Sequence, residues 1–332
     1  MITKIIGFFI FFVALSAFAQ SEPSDEGDPL DDPLNDSSPV ASSGGYLSSF
    51  ENKYPTEPGR ARNGWMPVVS FILPGFDQII QGQYGAGFTY AGYGLFGLSL
   101  SSSVRDKATT PGQADISSRN NVKRQILLGD QMYEMAGAMS AFQSYHSIID
   151  VYRKSGTGYT FITNDDTSLD LILAPLHFQF LTKVTTWLPL AGLLAGVLAV
   201  QHNPMAANYL DATDAGYLSA FSVQAGVAEE SLLRGAFMPS LRQWWGSDFW
   251  SNTTQATAFA ALHISSQNPV PLPQLALGWY LGWLTQRNGY SIRESIFIHA
   301  WWDVIAFTAT YLDQSNYDRA TNIYMPVVDA RF

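Results

Sequence analysis

Apolar residues come in long blocks separated by polar ones, without the residue-by-residue alternation of a half-buried strand, so helices are expected and strand signals are weak. Residues 1–19 place Lys4 before an apolar run over 5–15 and then Ala17-Phe18-Ala19, the order of a secretory signal with cleavage before Gln20. Residues 20–64 are rich in Ser, Pro, Asp and Gly, with Asp-Pro-Leu repeated at 28–30 and 32–34. Such a stretch buries too little apolar surface to offset its ordering entropy, and a disordered acidic tail is expected there.

Two short apolar stretches, 65–80 and 85–103, read as a membrane hairpin around a Gly-rich turn, the first broken at Leu73-Pro74-Gly75. A polar linker is expected over 105–124. Over 125–152, Ile126, Met132, Met135, Met139, Phe142 and Ile149 recur at helical spacing, predicting an amphipathic helix at the membrane surface or packed on the bundle. Apolar helices are predicted near 169–182, 184–201, 216–240, 252–265, 271–286 and 292–312, with Thr185 to Val200 the cleanest span. The expected organisation is a signal (1–19), a tail (20–64), a hairpin plus amphipathic helix (65–168), a C-terminal membrane domain (169–315) and a C-terminal tail (316–332). The fold class expected is all-α, a polytopic membrane helix bundle with an internal polar cavity.

Composition supports a membrane location: 14% of residues are charged, 47% are apolar, and aromatic residues make up a further marker at 14%. Cysteine is absent, which excludes disulfides, a thiol nucleophile and a Cys-ligated metal centre. The net charge of −10 is concentrated partly between Glu22 and Asp36, so no nucleic-acid partner is expected. Basic residues gather over 105–124 and at Arg153-Lys154, which favours a cytoplasmic side for that region. With the signal, this points to a multi-pass protein of a bacterial inner membrane.

An ionisable residue inside an apolar helix costs about 2.5–3.5 kcal/mol on insertion scales, so it marks a cavity or a working site. The sequence has this pattern in Glu229-Glu230-Ser231-Leu232-Leu233-Arg234, in Phe259-Ala260-Ala261-Leu262-His263 and in His299-Ala300-Trp301-Trp302-Asp303. Glu230 and Arg234 are i,i+4 neighbours able to pair, while Glu229 leaves the helix about 100° away. His299 and Asp303 are also i,i+4, and His263 must come from a facing helix. A carboxylate and a histidine sharing a water can take its proton as it attacks a carbonyl, and a second histidine can donate to the developing oxyanion. His146, His177 and His202 have no comparable company.

These three motifs, in this order, resemble those of the CPBP family of CAAX-processing and bacteriocin-processing endopeptidases, over roughly residues 170–315. The resemblance implies proteolysis near a substrate C-terminus or membrane boundary without an obligatory metal. It implies that Glu229 and His263 activate water, that His299 and Asp303 form the oxyanion side, and that Glu230 and Arg234 are a supporting ion pair. Asp303 stands where prenyl-protein endopeptidases carry Asn, so it must be protonated or else orient His299. No cofactor is expected. The alternative is zinc on Glu229, His263, His299 and Asp303, which together offer two imidazoles and two carboxylates. The expected partners are a membrane protein or peptide substrate and the lipid bilayer. The competing reading is a membrane scaffold or immunity-like protein that keeps the fold and does not cut.

Overall fold

The structure is a computed structural model that describes residues 64–108, 116–200, 212–264 and 269–313. The expected signal, most of the N-terminal tail and the C-terminal tail lie outside these residues. The described residues are helical, with no strand among them. Two short helices, α1 (Met66–Ile72) and α2 (Phe76–Ile80), lead into α3 (Tyr84–Ala108) and α4 (Ile116–Lys154). A short α5 (Ser168–Leu173) and two 3-10 turns (Ala174–Leu176 and Phe178–Thr182) precede α6 (Val184–Val200). Then follow α7 (Ala212–Leu232), a π-helical turn (Leu233–Phe237), α8 (Met238–Trp245), α9 (Asp248–Leu262), α10 (Leu272–Arg287) and α11 (Arg293–Asp313).

The break at Leu73-Pro74-Gly75 is present, with Gly75 at φ +86, and the polar linker is shorter than its composition suggests because α3 and α4 continue well into it. The amphipathic helix is also longer than expected and is not a surface helix. α4 spans 39 residues and is buried around most of its circumference between α1, α3 and α7. Polar side chains on α4 are enclosed too: Ser140, Gln143, Ser144 and Ser147 are all fully buried. Tertiary bonds satisfy the first three, such as Ser144 Oγ to Asp77 Oδ2 at 2.6 Å and Tyr90 Oη to Gln143 Oε1 at 3.0 Å, while Ser147 Oγ donates to the Gln143 carbonyl of its own helix at 2.6 Å. A core cluster joins Phe71, Tyr90, Met135, Met139 and Phe142 to Leu171, Val227, Ala228 and Ile296, so residues on both sides of position 168 share one interior.

The predicted segments 169–182 and 216–240 are each subdivided. Pro175 and His177 interrupt the first, and the π-turn splits the second. Among the described residues no helix is long and apolar enough to cross a membrane. α6, the most apolar, has 17 residues and at about 1.5 Å per residue rises roughly 26 Å, short of about 30 Å of hydrocarbon. α7 is longer but carries Asp214, Gln224, Glu229 and Glu230 on buried faces.

Two elements fix α11, which carries the third motif. Asp166 caps its start, accepting from Ile292 N at 2.7 Å and Ser291 Oγ at 2.9 Å and pairing with Arg293 at 2.9 Å. Burial pushes the Asp166 carboxyl up to about 6 against the downward pull of these donors. Glu294 collects Lys183 Nζ, Thr185 Oγ1, Thr186 Oγ1 and Asn288 Nδ2 at 2.6 to 3.0 Å, tying α11 to the start of α6. Along its length α11 packs on α7 at Gly226, where a Cβ would stand 2.9 Å from Ala300 N. Only a residue without a side chain permits that approach, and it brings Glu229 and Glu230 beside His299.

Candidate active site

His299 is the centre of the buried polar cluster. Its Nδ1 lies 2.7 Å from Glu230 Oε1, and since a carboxylate accepts, the nitrogen donates. The same Glu230 oxygen accepts from Arg234 Nη1 at 2.9 Å. Glu230 is thus shared between Arg234 and His299, where the helical spacing alone assigned it to Arg234. Both members of the ion pair are fully buried. Arg234 Nη2 donates to the Gly278 carbonyl at 3.1 Å, and its guanidinium lies over the Phe259 ring at 4.5 Å. These contacts, drawn from α10 and α9, hold a charge that would otherwise be stranded.

The π-turn is where Arg234 sits. His146 Nε2 lies 3.0 Å from the Gly235 carbonyl within that turn, so α4 supports the irregular backbone. π-turns inside helices often accompany functional sites, because the extra residue per turn re-aims the side chains that follow.

Opposite Glu230, His299 Nε2 faces two more carboxylates. Glu229 Oε2 is 3.8 Å away and Asp303 Oδ2 is 3.6 Å away. Both distances exceed a direct hydrogen bond and suit a shared water. Both oxygens are buried and have no hydrogen-bond partner among the described residues. The structure therefore brings Glu229, Glu230, Arg234, His299 and Asp303 into one cluster.

His263 joins it less directly. It is the C-cap of α9, and its Nδ1 lies 2.7 Å from the Phe259 carbonyl, which makes Nε2 the acceptor nitrogen of the neutral ring. Phe259 packs against both histidines, with ring centroids 4.4 Å from His263 and 5.7 Å from His299. Phe259 is a spacer with both motif histidines and Arg234 on its surface, a role its helical position did not reveal. Asn252 and Gln255 are further supports absent from the motif reading. Gln255 Nε2 donates to the same Gly278 carbonyl at 2.9 Å and to Asn252 Oδ1 at 2.7 Å. The available signal was a pair of amides at i,i+3, one helical turn before Phe259.

Of the remaining histidines, His146 is the π-turn support and His177 sits between the 3-10 turns beside Phe180. His202 lies outside the described residues. Trp301 Nε1 donates to the Pro175 carbonyl at 3.0 Å, a packing bond on the far face of α11. Among the described residues no group of three or more His, Asp or Glu side chains is arranged to hold a metal ion.

Residues 212–305 match the family model described as Rce1-like, type II CAAX prenyl endopeptidase Rce1-like. The match supports the resemblance to the CPBP/CAAX proteases over this segment. The match runs from the start of α7 through most of α11 and includes every residue of the buried cluster; α1 to α6 lie outside it. The family is one of proteases and of membrane proteins. No curated protein and no solved structure matches the chain.

Proposed function

We propose that the chain is an intramembrane endopeptidase that hydrolyses peptide bonds in membrane-associated or C-terminal segments of its substrates, with a water activated at Glu229. The observation that carries this reading is the position of His299 Nε2, within 3.8 Å of Glu229 and 3.6 Å of Asp303, with both facing oxygens buried and unpartnered. A water between them would lose a proton to Glu229 as its oxygen adds to the scissile carbonyl carbon. In its protonated form His299 would donate from Nε2 to the developing oxyanion, held in orientation by its Nδ1 bond to Glu230. His263, with Nε2 as acceptor, would align the attacking water from the α9 side. Collapse of the tetrahedral species breaks the C–N bond, and the proton held by Glu229 passes to the leaving amine. Asp303, within one water of His299, orients that ring.

The distribution of side chains supports a place in the bilayer. Large apolar residues project outward on α3 and α6, including Phe88 at 65% exposure, Leu95 at 65% and Leu198 at 61%, while carboxylates, amides and an arginine occupy the interior. Apolar surface of this extent calls for a lipid or protein cover, and ionisable groups within membranes face bundle interiors. The bundle as a unit, tilted and partly re-entrant, would then occupy the membrane in several passes.

The test is comparative proteomics of C-terminal and juxtamembrane fragments in cells carrying the wild-type protein or Glu229→Gln. Fragments that vanish with Glu229→Gln at equal protein abundance are the expected result. An unchanged fragment set would favour the non-cutting scaffold.

A further inference from the structure

A second run of buried polar atoms lies along the seam of α4 and α7. The two helices run parallel. Arg124 Nη2 reaches Asp214 Oδ1 at 2.5 Å near the first turns of both, and Ser231 Oγ contacts Met139 Sδ at 3.4 Å near the end of α7. Between these levels α4 contributes Gln131 and Glu134, and α7 contributes Gln224 and Glu229, each more than nine-tenths buried. Gln131 Nε2, Glu134 Oε2, Gln224 Oε1 and Glu229 Oε2 have no hydrogen-bond partner among the described residues. Gln224 uses its amide nitrogen on the Ala220 carbonyl at 3.0 Å, which leaves its oxygen as an acceptor.

A buried polar atom left unsatisfied costs about 1–3 kcal/mol, so several in one seam are tolerated only where something completes them. With both carboxyls ionised, three of the four are acceptors and one is a donor, so they cannot all satisfy each other. A small molecule with two hydrogens to give and lone pairs to accept with meets that imbalance, and buried waters of this kind make about three hydrogen bonds each. The contact of Ser231 with Met139 across the seam lies two residues along α7 from Glu229.

We propose that the α4–α7 seam holds a file of bound water, lined by Gln131, Glu134 and Gln224, that ends at Glu229 and delivers the hydrolytic water. This rests on the hydrolytic reading of the site and adds to it residues of α4, outside the matched family segment. Glu134 and Gln131 are positioning residues for water.

Hydroxyl-radical footprinting of the full chain in native membrane vesicles, read by mass spectrometry, tests it without any substrate. Radicals form from bound water in place, so Met135, which follows Glu134 and packs in the core cluster with Val227 and Ala228, should oxidise several-fold faster than Met238, a methionine buried in a separate cluster. Replacing Gln131→Leu and Glu134→Leu together should bring Met135 down to the Met238 rate. Wild-type labelling as slow as that of Met238 overturns the proposal, whatever the variant does. Unchanged fast labelling in a double variant of normal abundance and melting temperature overturns it as well. If Glu229→Gln abolishes cleavage while Met135 labels slowly, the hydrolytic reading stands and the water file falls. If Glu229→Gln leaves cleavage intact while labelling is fast and seam-dependent, the file stands as bound water and the hydrolytic reading falls.

Discussion

Glu229 and Glu230 are adjacent in the chain but leave α7 in directions about 100° apart, and the site treats them differently. Glu230 has two donors on one oxygen, from Arg234 and His299, whereas the inner oxygen of Glu229 has none among the described residues. Glu229→Gln should therefore abolish turnover while leaving membrane abundance and melting temperature close to wild type, which immunoblotting and a detergent melting assay check beside the fragment analysis. Arg234→Ala should behave otherwise. It strands a fully buried carboxylate, a loss of about 3–5 kcal/mol, so abundance should fall together with activity, and Arg234→Lys should restore only part, because one ammonium cannot serve Glu230 and the Gly278 carbonyl in the planar arrangement of a guanidinium. The pairing of Glu230 with Arg234 was legible because i,i+4 spacing is a property of one helix. The bond from His299 to Glu230 was not, since it depends on how close α11 comes to α7.

That approach belongs to the elements. Gly226 on α7 meets the α11 backbone at Ala300, one residue from His299. Gly226→Ala should cost about 1–3 kcal/mol as overpacking. Displacing α11 by about 1 Å should lower cleavage on the order of a hundredfold, a loss in rate far larger than the loss in abundance. The start of α11 gives a second prediction. With Asp166 raised to about 6 from the ordinary value of 3.8, the folded protein holds that proton more tightly than the unfolded chain. Its contribution to stability is therefore full at pH below about 3.8 and lost as pH rises towards about 6. The melting temperature of wild type should fall relative to Asp166→Asn between those pH values, and the difference should be level above them. α4 was the element least legible in advance. Its Met and Phe stripe read as one apolar face, whereas Gln131, Glu134, Gln143 and Ser147 on other faces are buried too, because α1, α3 and α7 surround it.

At the scale of the whole molecule, α3 and α6 carry large exposed apolar side chains, while buried carboxylates, amides and an arginine stand among the apolar side chains of the core. A charge on that surface should oppose insertion by about 2.5–3.5 kcal/mol, so Leu95→Asp should lower the amount of protein resisting alkaline extraction from membranes, while Ser102→Asp, near the polar end of α3, should not. Periodicity and composition by themselves pointed to the helices found among the described residues and singled out Glu229, Glu230, Arg234, His263, His299 and Asp303 as ionisable residues within apolar segments. Those properties reside in local spacing, which a single helix already expresses. Only the tertiary structure decided that His299 is shared with Glu230, that Phe259 separates the two motif histidines, that a π-turn aims Arg234, and that α4 supplies a polar wall. Each of these depends on the approach of helices far apart in the chain, set by the absence of a Cβ at Gly226 and the anchoring of α11 by Asp166 and Glu294, and no local pattern encodes such distances.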